Sequence, residues 1–228
     1  DLTIQKGEVL GVVGKTGSGK TSLLRQFGHR YPYSAQMPQI NGKALTQYTT
    51  ETLRSQFAEV PQEHTLLSRT IKENLLFGQP DASEDALWAA LDAACFTEDI
   101  KRMPEGLETI VGEKGVSLSG GQKQRLSLAR AFLRQSEVLL LDDALSAVDA
   151  KTEQAIITNL KSMQHAPTSI IVTHRLSAIT EADQIIVLDD GEISQRGTHQ
   201  SLIQTPGWYQ NQYYHQQLKE DDTDVLND

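Results

Sequence analysis

The residues Gly14-Lys15-Thr16-Gly17-Ser18-Gly19-Lys20-Thr21 have the spacing G-x-x-x-x-G-K-[S/T], a pattern suited to holding phosphate. Glycines at those positions let backbone N–H groups turn inward as an anion nest, and a helix starting there adds its positive dipole. Lys20 would reach the β- and γ-phosphates of a nucleotide, and the Thr21 hydroxyl would ligate Mg²⁺. The plainer reading of such a string is an ordinary glycine turn. The flanks argue against it: Val9-Leu10-Gly11-Val12-Val13 precedes it as an apolar, strand-like run, and residues 21–27 carry apolar side chains at helical spacing.

Other reactive side chains sit at the ends of similar runs. Residues 138–141 end in Asp142-Asp143, residues 169–172 end in Thr173-His174, and residues 185–188 end in the turn Asp189-Asp190-Gly191. Continuous apolar strands separated by helical stretches predict a parallel sheet covered on both faces. Ligands of such sheets bind outside the carboxyl ends of the strands. Four hydrophobic residues followed by Asp are weak ground for a metal ligand by themselves. With a phosphate loop in the same sheet, Asp142 is placed to hold Mg²⁺ through water.

Leu118-Ser119-Gly120-Gly121-Gln122 opens an amphipathic helix through Leu126, Ala129 and Leu133, with Ser119 and Gln122 spaced as a capping box. Gly120 and Gly121 are poor helix formers, each costing about 1 kcal/mol relative to Ala. A purely structural cap has no need of them, whereas bare N–H groups at a helix start bind phosphate. Two phosphate-binding helix starts in one chain point to a nucleotide site shared between two chains.

The composition narrows the alternatives. With 228 residues there is enough chain for one large domain, and the net charge of −9 gives nonspecific nucleic-acid binding no support. Cys95 is the only cysteine, so no internal disulfide forms, and it reads as a small apolar residue in the Ala-rich helix around 87–94. No apolar run is long enough to span a bilayer and no signal peptide opens the chain. Asp1-Leu2-Thr3-Ile4 reads as mid-strand, so a longer protein is expected, with a first strand upstream.

One domain, 1–228, is expected, with a core of 1–62 and 136–215 and a helical part at 63–135. Helices are predicted over 70–76, 83–94, 98–102 and 119–134, and a small antiparallel addition over 39–45 turns at Asn41-Gly42. The acidic tail 219–228 is expected to be disordered.

Together these segments resemble the nucleotide-binding domain of ATP-binding cassette (ABC) proteins, over about residues 1 to 215 and through six motifs in order. The resemblance implies an α/β phosphate-loop NTPase fold with a RecA-like core. In it, 118–122 is the signature motif, Gln62 the Q-loop glutamine that senses Mg²⁺ and contacts a membrane domain, Asp149 part of the D-loop (146–149), and His174 the switch histidine. Residues 109–115 look like the segment that precedes the signature in the exporter branch. Two such domains would pack head to tail, with ATP between the phosphate loop of one and Ser119, Gly120, Gly121 and Gln122 of the other. The implied cofactors are ATP and Mg²⁺, and the implied setting is the cytoplasmic face of a membrane.

Two departures from the family matter. Its adenine-stacking aromatic lies upstream of the phosphate loop, and Tyr31 and Tyr33 lie on the wrong side to replace it. The residue after the Mg²⁺ aspartate is usually a glutamate that polarises the attacking water, and here it is Asp143. Asp falls about 1.5 Å short of that position, and a miss of about 1 Å costs on the order of a hundredfold in rate. The expectation is a site that binds ATP well and hydrolyses it poorly, paired with a different subunit that carries the working glutamate. A homodimer in which Asp143 reaches the water remains the alternative. A DNA-repair or chromosome-organising ATPase of the same core would need long heptad arms, which are absent between 21 and 118.

Overall fold

The computed structural model describes residues 2–27, 38–112 and 115–225, so Tyr31, Tyr33, Glu113 and Lys114 lie outside the described residues. In chain order, β1 (Val9–Gly14) leads through the glycine loop into α1 (Lys20–Phe27). A hairpin, β2 (Gln39–Ile40) and β3 (Lys43–Ala44), turns at Asn41 and Gly42. Their φ angles of 51° and 74° are those a tight two-residue turn requires. Then come α2 (Thr50–Gln56) and a short β4 (Phe57–Val60). Four helices follow: α3 (Ile71–Leu76), α4 (Glu84–Ala93), α5 (Thr97–Arg102) and α6 (Gly120–Leu133). The chain returns to the sheet with β5 (Val138–Asp142), α7 (Ala150–Ser162), β6 (Thr168–Val172), β7 (Gln184–Asp189) and β8 (Glu192–Gly197). It closes with α8 (His199–Gln204) and α9 (Trp208–Val225).

The six-stranded sheet has the order β4-β5-β6-β1-β7-β8, parallel except for β8, so the α/β class expected from the apolar runs is the observed one. Gly11 of β1 pairs with Ile171 on one side and Ile185 on the other, which places β1 in the interior of the sheet. Alternate residues of the same strands feed two cores. Val9, Val13, Leu139, Leu141, Ile171, Ile185 and Val187 face the helices α3–α7 and α9. Leu10, Val12, Leu140, Ile170, Val172, Ile186 and Leu188 face Leu24 of α1. Each fully buried aliphatic side chain contributes roughly 1.5–3 kcal/mol, and this two-sided burial is why the strands read as unbroken apolar runs.

Three expectations need correcting. Leu2 and Ile4 belong to no strand; they lie partly buried against the second core, and no ladder partner reaches them among the described residues. The tail is helical as far as Val225. Lys219 and Glu220 are good helix formers, and they continue a helix that already starts at Trp208. Cys95 lies just past α4 at φ 54°, not within the helix, and burial pushes its thiol up toward the inert neutral form. Among the described residues no helix is long and apolar enough to cross a membrane.

Candidate nucleotide-binding site

A cavity of about 340 Å³ opens beyond the carboxyl ends of β1, β5 and β6. It is lined by Thr16, Gly17, Gly19, Lys20, Thr21, Ser22, Gln62, Asp142, Asp143, Val172 and His174. The structure thus brings the phosphate-loop residues, the carboxylate pair, Gln62 and His174 to one place from four distant segments. Gln62 arrives by way of β4, a strand the sequence reading missed because Glu59 interrupts its short apolar run. Gly14, Lys15 and Ser18 do not line the cavity but belong to the same loop, whose glycines at 14, 17 and 19 all have positive φ. A side chain at Gly14 would meet the Leu188 carbonyl at 2.2 Å, so the loop sits hard against β7.

Lys20 is buried, and its Nζ donates to the carbonyls of Gly14 at 2.9 Å and Lys15 at 2.8 Å. Burial pushes its pKa down, against the upward pull of the Asp142 and Asp143 carboxylates. The Thr21 hydroxyl donates to Asp142 Oδ1 at 3.1 Å. Burial raises the Asp142 pKa, the Thr21 hydrogen bond opposes this, and the neighbouring Asp143 charge adds to it.

Asp143 has φ 51°, in the left-handed region that Asp and Asn tolerate better than most residues. Its N–H donates to the Val172 carbonyl at 2.8 Å, and its own carbonyl accepts the Ser146 hydroxyl at 2.9 Å. Its Oδ1 is buried with no hydrogen-bond partner among the described residues. A hydroxyl, two carboxylates and an amide form a hard-oxygen donor set, and that orphaned acceptor would take a metal-bound water. Mg²⁺ therefore fits these residues. Among the described residues no three His, Cys, Asp or Glu side chains make a self-sufficient metal site, so further ligands would be phosphate oxygens and water.

Ser119, Gly120, Gly121, Gln122 and Asp149 do not line this cavity. Ser119 caps α6 with the expected reciprocal pair: its Oγ accepts the Gln122 N–H at 3.2 Å, and Gln122 Oε1 accepts the Ser119 N–H at 2.9 Å. Gln122 Nε2 also donates to Asp99 at 2.9 Å, and Asp99 pairs with Arg125 at 2.8 Å. The claim that a structural cap has no need of glycine fails at Gly121. A Cβ there would meet the Ala147 carbonyl at 2.7 Å, so close packing alone demands it. Asp149 caps α7 through the Thr152 N–H at 2.9 Å, and that bond holds its carboxyl below the usual range.

Three residues that the motifs do not flag connect these parts. Buried Gln124 accepts the Ala147 N–H at 2.8 Å and donates to Ser146 Oγ at 3.0 Å. Arg175 donates to the Val148 carbonyl at 2.6 Å and pairs at 3.2 Å with Glu153, which is fully buried. Gln216 of α9 donates to the His174 carbonyl at 2.7 Å. A polar residue on the buried face of a helix, as at Gln124, was the one available signal.

Known proteins are similar to this chain in sequence and fold. The family described as ABC transporter matches residues 1–146. The chain is 50% identical over 217 residues to a probable multidrug resistance ABC transporter ATP-binding/permease protein, YheI, of Bacillus subtilis, covering 95% of this chain and 37% of that one. It is 44% identical over 219 residues to the multidrug resistance-like ATP-binding protein MdlA of Escherichia coli, covering 96% and 37%. A solved bacterial Atm1-family ABC exporter with ATP bound superposes with a TM-score of 0.88 at 35% identity, covering 93% of this chain and 38% of that one. The chain therefore spans well under half the length of these relatives. With the phosphate loop, the strand-end carboxylates and the capped α6 in these positions, the chain belongs to the ABC transporter family.

Proposed function

We propose that this chain is the ATP-binding domain of an ABC exporter, closing on a second such domain when ATP binds and so moving a membrane-embedded partner at the cytoplasmic face. The observation that carries the reading is the Thr21–Asp142 hydrogen bond, with Lys20, Asp143, Gln62 and His174 around the same cavity. Residues 14–21 would hold the phosphates, and Thr21, Asp142 and Gln62 would hold Mg²⁺. Bound Mg²⁺ supplies charge neutralisation at the terminal phosphates. His174 would contact the γ-phosphate, and Ser119, Gly120, Gly121 and Gln122 would complete the site of the other domain, with Asp149 at the seam. The name of the Bacillus subtilis relative, an ATP-binding/permease protein, supports a membrane partner. Phe77, 70% exposed beside a cavity of about 330 Å³ between β4 and α6, offers that partner an apolar contact.

Asp143 divides two versions of this reading. In the favoured one its short side chain leaves this site a poor hydrolase that holds ATP, while a different subunit with the longer glutamate turns over. In the other, a homodimer uses Asp143 as a working base. The test is ATP turnover of this chain alone and with its partner, before and after Asp143→Glu. A gain of about tenfold or more in this chain's site is expected, given the cost of a base out of reach. Ordinary family-level turnover by the unmodified chain alone would sink the poor-hydrolase version.

A further inference from the structure

His174 is exposed and lines the cavity, and among the described residues its imidazole makes no hydrogen bond. What is held is its backbone, and the holding residue comes from the far end of the chain. Gln216 donates from Nε2 to the His174 carbonyl at 2.7 Å, and its Oε1 accepts the Leu176 N–H at 2.9 Å. Only one orientation of the carboxamide satisfies both bonds, so the side chain bridges the peptide groups on either side of Arg175. Its helix is itself anchored. Tyr209, with no exposed surface, bonds His199 Nδ1 through its hydroxyl at 2.9 Å, and its N–H donates to Gln195 of β8 at 3.0 Å.

The clamped segment does not end at His174. Arg175 reaches the Val148 carbonyl and the buried Glu153, and Ser177 Oγ donates to the same carboxylate at 2.8 Å. Thr173 Oγ1 accepts the Arg175 N–H at 3.0 Å and tightens the turn. The turn that ends at Asp149 and the loop after β6 therefore share one hydrogen-bonded connection to α9.

We propose that Gln216 is a positioning residue for His174, clamping the loop after β6 so that the imidazole is presented to the terminal phosphate of the bound nucleotide. This rests on the reading of His174 as the γ-phosphate contact. A loop restrained in advance loses less conformational freedom when the phosphate arrives, so the clamp favours ATP over ADP.

The test uses the intact protein with its second nucleotide-binding domain present and measures labelling of this chain by photoreactive ATP and ADP analogues. Gln216→Ala is expected to cut the preference for ATP over ADP by about three- to tenfold, the worth of one or two hydrogen bonds. Affinity for ADP should stay close to that of the unmodified protein, and the melting temperature should fall by only a few degrees, as the loss of two hydrogen bonds implies. Hydrogen exchange at the Leu176 amide should speed up. Gln216→Glu, which keeps an acceptor for Leu176 but loses the donor to His174, should fall between the two. In a His174→Ala background, Gln216→Ala should add no further loss of preference. If His174→Ala shifts the preference and Gln216→Ala does not, the clamp is wrong and the site reading stands. If His174→Ala itself leaves the preference unchanged, the reading of His174 falls, and the clamp with it.

Discussion

Gln124 and Ala147 are joined by a hydrogen bond of 2.8 Å from the Ala147 N–H to Gln124 Oε1, across 23 positions of sequence. The bond ties the helix that starts at Ser119 to the turn that precedes Asp149. Gln124 is buried and has a second bond to Ser146 Oγ, whose own hydroxyl donates to the Asp143 carbonyl. Replacing Gln124 by Leu would remove both bonds and leave the Ala147 N–H, on an exposed residue, to find water instead. A loss of about 0.5–1.5 kcal/mol is expected, the net worth of such a hydrogen bond. Chemical denaturation should detect it as a lower midpoint at unchanged slope, and a variant as stable as the parent would remove Gln124 from this role.

Lys20 gives the opposite sign. Its ammonium group is buried, and burial opposes its charge. Lys20→Met should therefore leave the empty protein as stable as before or more so. Its affinity for ATP should fall roughly ten- to a hundredfold, the worth of a charge-assisted hydrogen bond. Thermal scans with and without Mg·ATP separate the two effects, because the nucleotide-dependent rise in melting temperature should shrink at a fixed ATP concentration.

The Asp142 carboxyl is raised by burial above the usual carboxylate range. The folded state thus holds this proton more tightly than the unfolded chain, and stability lost to the buried charge is regained as the pH falls through the raised value. Asp142→Asn removes that charge. Its stabilising effect without nucleotide should be full at neutral pH and disappear below the ordinary range of aspartate. Melting temperatures across an acidic to neutral series check the trend. An advantage that grows on acidification would contradict the assignment.

Ser119→Ala removes an N-cap and should cost about 1 kcal/mol of stability. Its functional effect should appear in the partner's nucleotide site. Hydrolysis there is expected to fall more than ATP binding by this chain's own loop. Equal losses at both sites would argue against a role across the seam.

Much of this was legible in the sequence where a residue's role depends on its neighbours in the chain. The phosphate loop, the strand-end carboxylates and the Ser119 capping box are local patterns, and each took its expected shape. β4 was not legible, since Glu59 breaks a four-residue strand whose identity comes from pairing with β5. Gln216 and Arg175 were invisible for a related reason. Their partners, His174, Leu176, Val148 and Glu153, are brought to them only by the folded sheet and α9. The tail was misjudged because composition weighed its charge and missed the helix already running into it.

Gly121 has a practical bearing on how variants of this chain would be interpreted. A Cβ at this position would come so close to the Ala147 carbonyl that any side chain displaces the turn leading to Asp149. A substitution there would blunt activity even if residue 121 never touched a nucleotide. Loss of function at this glycine is therefore poor proof of contact with ATP. Ser119, whose hydroxyl can be removed without adding an atom, is the cleaner diagnostic position.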